Sequence, residues 1–312
     1  MPAVSIEAVA TYLPETRVPI TELAAPLGLR DRDMQLFQRF YGLNQVCRDP
    51  QGTLTDLLLG ATGKLAELAG NEHRVRYVLY ARGSGAVVPY PVNPVHEVCA
   101  ELGLDNAQAF TVTHHACATA LLAIDLAGRL LADDGDEDAL ALVLAGEKAF
   151  TRDAQLVPET SLFSEAAAAC LLAPGAGSDR LLSYATSMRG DFDAWLTDEQ
   201  QAATRYAQAY PDCLAGVINE AAEQSGTALT DLALILPHNV NTVSWQRLCK
   251  RIGFPRERVL LQNVPEIGHC FAADGLINYR TALDRGLLQP GDRYLIAAAG
   301  LGAVFSAMVF EH

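Results

Sequence analysis

The feature that most constrains the fold is a series of short apolar runs that occurs twice along the chain in the same order. In each half, two such runs are followed by a long helical pattern with few charges, and then by two further runs. Short buried runs that alternate with helices are typical of βαβ units and mostly parallel sheets. The runs lie at 75–81, 109–113, 139–145 and 166–172, and again at 232–236, 259–262, 294–299 and 304–310.

This repeat predicts an α/β protein with two similar βαβαβ-type halves, residues 1–174 and 175–312. The sequence PGAGS at 174–178 joins them and is rich in turn-forming residues. Because this join is too short for a flexible linker, we expect the halves to pack tightly against each other.

Composition excludes several classes of partner and location. Lys and Arg number 23 against 37 for Asp and Glu, and a net charge of -14 argues against nucleic acid or a membrane surface. The N-terminus lacks the basic and apolar regions of a signal peptide, and no apolar stretch is long enough to span a bilayer. The seven cysteines are an odd number without C-x-x-C spacing, so we expect reduced thiols, no metal site and a cytoplasmic protein.

Cys117 is the first candidate for chemistry. It follows the predicted strand 109–113 and begins the apolar helix pattern ACATALLAIDLAGRLL. The partial positive charge at a helix N-terminus favours a thiolate, whereas burial opposes it. Since cysteine is also a common core residue, the position alone leaves nucleophile and packing roles equally open.

Two histidines lie in comparable places in the second half. His238 follows the run 232–236, and His269 follows the run 259–262 in the segment PEIGHCFAADG. Reacting groups collect at the carboxyl ends of parallel strands. Under the repeat, the loop of His269 corresponds to the loop of Cys117, so a thiol and an imidazole would face each other. Either histidine taken singly is more simply a hydrogen-bonded loop residue.

Three blocks of the chain resemble the β-ketoacyl-acyl-carrier-protein synthase III family. HHACATALLAIDLA is similar to its nucleophile turn, and PHNVN, at 237–241, is similar to its Pro-His-Gln-Ala-Asn segment. The residues 267–310 resemble its last third, and VATYLPE resembles its opening. The resemblance implies the thiolase fold, with two pseudo-symmetric halves in a layered α-β-α-β-α core, and a homodimer.

The same resemblance implies a set of site residues. Cys117 would be the acyl-accepting nucleophile and His238 a catalytic histidine, with His269 at the third catalytic position. The backbone N–H groups of Cys117 and of the loop from Gly300 to Gly302 would form an oxyanion hole. The substrate would be a phosphopantetheine-borne acyl thioester, and no other cofactor is expected.

The third position departs from the family, which has Asn where this chain has His269. A Cys-His-His set still permits decarboxylative Claisen condensation with a malonyl thioester, which is our leading expectation, in fatty-acid or polyketide-type metabolism. Plain acyl transfer to oxygen, nitrogen or another carrier is the alternative, and a non-catalytic scaffold is a third. For Asp274 and Asp125 we expect surface or helix-start roles.

A second departure concerns the acyl donor. Phe40, Leu36 and Val157 occupy the positions where coenzyme A-using members carry Arg and Trp. This favours an acyl carrier protein as donor over free coenzyme A. Carrier proteins are acidic, and one basic stretch follows His238. The candidate docking residues are Arg247, Lys250, Arg251, Arg256 and Arg258; a solvated helix face is an equally good interpretation.

Two further residues are candidates for the acyl pocket. His115 lies two positions before Cys117, where the family usually has small residues, although a core hydrogen bond is the preferred explanation. Tyr90 lies in a loop that in relatives reaches the partner's acyl pocket. A metal site on the histidines is the weakest alternative, since the sequence places no carboxylate beside them.

Overall fold

A computed structural model gives the fold of residues 3–83, 88, 91–175, 177–190 and 199–312, with the backbone alone for 199–203. Thirteen strands are described in this part of the chain. They are β1 Val4–Tyr12, β2 Arg17–Pro19, β3 Gln45–Cys47, β4 Val75–Ala81, β5 Gln108–Val112, β6 Leu140–Glu147, β7 Leu156–Val157, β8 Ser161–Leu162, β9 Ala166–Pro174, β10 Arg180–Met188, β11 Leu232–Pro237, β12 Arg293–Gly300 and β13 Val304–Glu311.

The helices of the described residues alternate with these strands. They are α1 Asp31–Gln35, α2 Leu54–Thr62, α3 Pro94–Glu101, α4 Thr119–Asp134, α5 Glu199–Gln224, α6 Thr242–Ile252, α7 Asn263–Ile267 and α8 Asp274–Asp284. Two short 3-10 turns, Ala116–Ala118 and Phe271–Ala273, immediately precede α4 and α8.

Nine of the strands form one sheet, in the order β11-β12-β13-β10-β1-β9-β6-β4-β5. At its centre β1 and β10 pair antiparallel, with Ser5 opposite Arg180. Outward from this pair the order is β9, β6, β4 and β5 on one side, and β13, β12 and β11 on the other. Each side has an antiparallel pair followed by parallel strands. The two sides therefore share one order of antiparallel and parallel pairing, as the apolar runs predict, with one strand fewer beside β11 than beside β4.

The structure corrects one predicted strand. Residues 259–262 make only an isolated bridge, between Val259 and Ile235. The N–H of Leu261 donates back to the carbonyl of Val259, and α7 begins at Asn263. The chain therefore turns away from β11 before a strand can form. The division into 1–174 and 175–312 stays a prediction, since the β1–β10 pairing crosses it.

Three apolar clusters produce the layers of the predicted fold. α4 and α8 pack in a central cluster with residues from both sides of the sheet. α2 and α3 cover the outer face of β4, β6 and β9, and α5 and α6 cover the outer face of β11, β12 and β13. The layered α-β-α-β-α architecture is thereby confirmed. Its middle layer places the N-termini of two helices inside the molecule.

β9 shows why a strand between two helical layers is apolar throughout. Its side chains alternate between the faces of the sheet. One set packs into the central cluster and the other against α2. The first set is Ala166, Ala168, Cys170 and Leu172, and the second is Ala167, Ala169 and Leu171. Within the described residues, no helix has both the length and the apolar character needed to cross a membrane.

Candidate active site

Cys117 lies in a turn with an unusual backbone. β5 ends at Val112, and both His114, with a φ of 73°, and Ala116, with a φ of 45°, adopt the left-handed region before the 3-10 turn begins. Such conformations cost free energy in residues other than glycine and concentrate at functional sites. The turn places Cys117, which is 7% exposed, just before the N-terminus of α4.

Two glycines allow other parts of the chain to approach this turn. A β-carbon at Gly300 would collide with the carbonyl oxygen of His115, and one at Gly83 would lie 3.1 Å from the carbonyl carbon of Ala116. The glycine loop after β12 is therefore packed directly on the nucleophile turn. Gly302, with a φ of 89°, follows in open space. The oxyanion hole from Cys117, Gly300 and Gly302 stays a prediction, which this packing supports.

His269 is the side chain that contacts the thiol. Its Nε2 lies 3.2 Å from Sγ of Cys117, and its Nδ1 lies 2.5 Å from Oδ2 of Asp274. His269 follows α7 after Gly268, whose φ of 70° suits glycine, and Asp274 is the first residue of α8. The structure thus assembles a line of thiol, imidazole and carboxylate.

Asp274 is held by four donors. Besides His269, the backbone N–H of Cys270 donates at 2.7 Å, and Asn239 donates through its N–H at 2.5 Å and its side chain at 3.2 Å. The amide of Asn278 in turn donates to Oδ1 of Asn239 at 2.9 Å. Four donors saturate a buried carboxylate and fix its orientation. The expected helix-start position of Asp274 is correct, but its side chain is only 1% exposed and serves His269.

The protonation of His269 follows from these neighbours. Burial lowers the pKa of His269, but the charges of Asp274 and of the Cys117 sulfur raise it more strongly, to about 10. At neutral pH the imidazole is therefore protonated between a sulfur and a carboxylate. A protonated imidazole in this place can give its proton to a leaving group and later take one from an attacking group.

His238 lies beside this line but outside it. Its ring centre is 6.0 Å from that of His269, and its Nε2 is 3.0 Å from the hydroxyl of Tyr210 in α5. Burial, together with the nearby His269, lowers the pKa of His238 to about 3. Among the described residues, Cys117 is thus paired with His269, and His238 is a neutral neighbour.

An apolar pocket surrounds the sulfur. Phe163 and Phe271 stack with their ring centres 4.2 Å apart and form a buried cluster with Cys117, which Val157 extends. Phe163 also stacks on His269 at 4.8 Å. These aromatic residues, like Tyr210, escaped the sequence-based prediction. A histidine followed five positions later by Asp at a helix start was the signal that could have identified Asp274.

The two predicted pocket residues have different outcomes. Tyr90 lies outside the described residues. His115 is half-buried at the start of the nucleophile turn, and its Nδ1 is buried without a hydrogen-bond partner in the described structure. Its role in the acyl pocket stays a prediction. In the part of the chain that the structure describes, no group of three or more His, Cys, Asp or Glu side chains could hold a metal ion.

The predicted docking residues divide into free and engaged cations. Arg251 forms an ion pair with Asp212 of α5, and Arg258 donates to the carbonyls of Thr230 and Leu232. These contacts hold the two side chains on the local fold, and the docking role of all five residues stays a prediction. Arg247, Lys250, Arg251 and Arg256 are exposed, and Arg258 is partly buried.

The chain is similar to several known proteins. Residues 222–312 match the family described as the C-terminal part of 3-oxoacyl-[acyl-carrier-protein] synthase III. The β-ketoacyl-[acyl-carrier-protein] synthase III of Coxiella burnetii (strain RSA 493 / Nine Mile phase I) is 22% identical over 98% of this chain and 98% of its own length.

Solved structures show the same fold. The acyltransferase ChlB3 is similar with a TM-score of 0.86 and 18% identity, over 99% of this chain and 98% of its own. The 3-oxoacyl-(acyl carrier protein) synthase III of Pseudomonas aeruginosa PAO1 is similar with a TM-score of 0.82 and 22% identity, over the same shares. The predicted thiolase fold is confirmed by these similarities and by the layers described above.

Proposed function

We propose that the chain is a member of the β-ketoacyl-acyl-carrier-protein synthase III-like family of the thiolase superfamily and that it transfers acyl groups through a thioester on Cys117. The observation that supports this most directly is the line from Cys117 through His269 to Asp274. A nucleophile, a proton carrier and an orienting carboxylate are the parts that acyl transfer needs.

The first half of the reaction acylates Cys117. The sulfur attacks the carbonyl carbon of an acyl thioester, and the oxygen carries negative charge near the N–H of Cys117 and the loop from Gly300 to Gly302. The bond from the carbonyl carbon to the substrate sulfur then breaks. His269 gives its proton to the departing carrier thiolate, which leaves as the thiol, while Asp274 holds the ring in place.

The second half releases the acyl group. A hydroxyl, amine or thiol of the acceptor attacks the thioester carbonyl, and His269, now neutral, takes the proton of the attacking group. The bond to Cys117 breaks, and the sulfur and imidazole return to their starting state. No cofactor besides the thioester takes part in this scheme.

Decarboxylative condensation is the second candidate. Two buried imidazoles with their ring centres 6.0 Å apart beside one thiol are suited to hold the oxygen of an enolate. Plain transfer ranks first because His269 is hydrogen-bonded to both Cys117 and Asp274. In this position the imidazole can act as the acid and the base of acyl exchange. A non-catalytic scaffold ranks last, since it would have no need for four donors around Asp274.

Intact-protein mass spectrometry tests the acyl-enzyme. The chain is incubated with acyl-pantetheine and with an acyl carrier protein loaded with the same acyl group. We expect one acyl adduct on the native chain and on Cys99→Ala, whose thiol lies half-buried in α3, and no adduct on Cys117→Ala. An adduct that persists in Cys117→Ala, or none on the native chain, would contradict the proposal.

We also propose that the acyl donor is an acidic carrier protein that docks on α6. Arg247 and Lys250 are exposed on α6, and Arg256 is exposed after its end. α6 begins four residues after His238. Phe40, which is 65% exposed, lies next to the start of α6, because the carbonyl of the following residue, Tyr41, accepts from the N–H of Thr242. A positive surface with an exposed aromatic residue nearby fits a negatively charged partner.

Charge reversal tests this docking. Arg247→Glu with Lys250→Glu should raise KM for the acyl carrier protein roughly tenfold and leave KM for acyl-pantetheine unchanged. Arg76→Glu, on the exposed side of β4, is the control. Equal effects on both donors would show that the cations support the fold and do not dock a carrier.

Finally, we propose a homodimer formed through β5. Among the described strands β5 pairs with β4 alone, and its Phe110 is 36% exposed at the sheet edge. An unpaired edge with an exposed aromatic residue invites pairing with a second copy. Sedimentation should show a dimer for the native chain and dissociation for Phe110→Asp, and a native monomer would refute this assembly.

A further inference from the structure

The ring of His238 has one side-chain hydrogen-bond partner among the described residues. Nε2 faces the hydroxyl of Tyr210 at 3.0 Å, and Nδ1 is buried without a hydrogen-bond partner in the described structure. The remaining ring contacts are aromatic, to Trp245 at 5.6 Å and to His269 at 6.0 Å between ring centres. With 2% exposure, the imidazole also has little access to water. The hydroxyl of Tyr210 therefore takes up the hydrogen-bonding capacity of Nε2 of His238.

Tyr210 itself is held firmly in this position. It lies on α5 one turn after Tyr206, and both rings pack against Phe305 of β13, with centre distances of 6.0 Å and 6.1 Å. Tyr206 and Tyr210 also contact each other edge to face at 5.9 Å. The hydroxyl is thus delivered to His238 by a packed helix, and it does not depend on a loop.

The position of Nε2 matters for the choice between the two candidate reactions. Loss of carbon dioxide from a malonyl thioester leaves an enolate, whose oxygen needs hydrogen-bond donors fixed in advance. His269 is already hydrogen-bonded to Cys117 and Asp274. The imidazole donor for the enolate oxygen would therefore have to be the N–H on Nε2 of His238. A tyrosine hydroxyl hydrogen-bonded to that nitrogen would compete with the thioester oxygen for it.

We propose that Tyr210 is a specificity-determining residue that withholds His238 from the thioester carbonyl and so restricts the site to acyl transfer. This inference rests on the proposed function, since it explains which of the two reactions Cys117 serves. The bond between the carboxylate carbon and the α-carbon of a malonyl thioester is then kept intact. When that bond does break, its electron pair forms the enolate, carbon dioxide leaves, and water protonates the α-carbon.

The test measures release of labelled carbon dioxide from malonyl-pantetheine. All variants carry Cys117→Ala, so the result does not depend on whether Cys117 becomes acylated. Tyr210→Phe should raise the rate of release on the order of tenfold or more, because one donor to a developing oxyanion is worth about 10²-fold. Adding His238→Ala to Tyr210→Phe should return the rate of release to its starting value. If Tyr210→Phe only loosened the packing of the site, the increase would remain in the combined variant.

The matched control is Tyr206→Phe, which removes a hydroxyl one turn earlier in the same helix and should leave the release unchanged. Tyr210→Leu is a second variant in case Tyr210→Phe does not fold, with the same expectations. No increase in a folded Tyr210 variant, or an increase that survives His238→Ala, would overturn the inference. Failure of the proposed function is seen separately, as the lack of an acyl adduct on native Cys117.

Discussion

His238 and His269 make an instructive pair, because the same residue type has opposite properties only 6.0 Å apart. Both are buried, with 2% and 3% exposure, and both follow apolar runs of the C-terminal half. The pKa of His269 is raised to about 10, and that of His238 is lowered to about 3. One imidazole is charged and the other neutral at every pH between these values.

The difference comes from the partners that each ring has. Burial penalises the charged form of both. His269 gains a carboxylate and a sulfur that more than offset this penalty. His238 faces a neutral hydroxyl and a positively charged neighbour, and the backbone of Ala297 offsets little of the penalty. Two groups whose surroundings separate their pKa values commonly have separate chemical roles. Under the proposed mechanism, this pair would divide proton transfer from the choice of reaction.

The largest expected effect comes from removing each ring in turn. His269→Ala should lower the rate of Cys117 acylation by about 10³-fold, because general acid and base catalysis contributes in that range. His238→Ala should lower the same rate by less than about tenfold, since its ring does not contact the sulfur. Rapid-quench mass spectrometry measures both rates. Equal losses of rate in the two variants would contradict separate roles for His269 and His238.

A smaller effect is expected when the partner of His269 is neutralised. Asp274→Asn removes the charge that raises the pKa of His269, so the ring should lose its proton at lower pH. The decline of the acylation rate with rising pH should then begin well below pH 10, and the rate at pH 7 should fall about 10²-fold.

The control is Asp125→Asn, which replaces a buried carboxylate in α4 that is paired with Arg129 at 2.8 Å. Its pH profile should match that of the native chain. A profile of Asp274→Asn that does not move would show that Asp274 leaves the protonation of His269 unaffected.

The smallest effect concerns stability at acid pH. The pKa of His238 is about 3 when folded against 6.5 ordinarily, so the unfolded chain binds more protons between these values. The free energy of unfolding should therefore fall as pH drops from 6.5 towards 3, by a contribution on the order of a few kcal/mol. Urea unfolding should show a shallower fall for His238→Gln. Parallel curves would mean that His238 is not buried in its neutral form.

His269 has the opposite sign in the same experiment. Its folded pKa lies above 6.5, so its contribution to stability is complete below about pH 6.5 and is lost as pH rises towards 10. His269→Gln should therefore flatten the alkaline side of the curve, as His238→Gln flattens the acid side.

The sequence by itself determined the repeated α/β topology, the turn of Cys117 and the position of His238 at the end of β11. These follow from local properties: the length and polarity of the apolar runs, and the rule that carboxyl ends of parallel strands share an edge. The predicted strand at 259–262 does not form. Its composition is apolar, as in a strand, but the N–H of Leu261 donates back to the carbonyl of Val259.

Only the tertiary structure decided which groups touch. Cys117 meets His269 across 152 positions, Tyr210 meets His238 across 28, and Asn239 meets Asp274 across 35. Composition could not reveal that Arg251 forms an ion pair with Asp212 and that Arg258 donates to the carbonyl of Leu232. A side chain's charge and role depend on the few atoms within hydrogen-bond reach, and packing of the central helices between the two sides of the sheet selects those atoms.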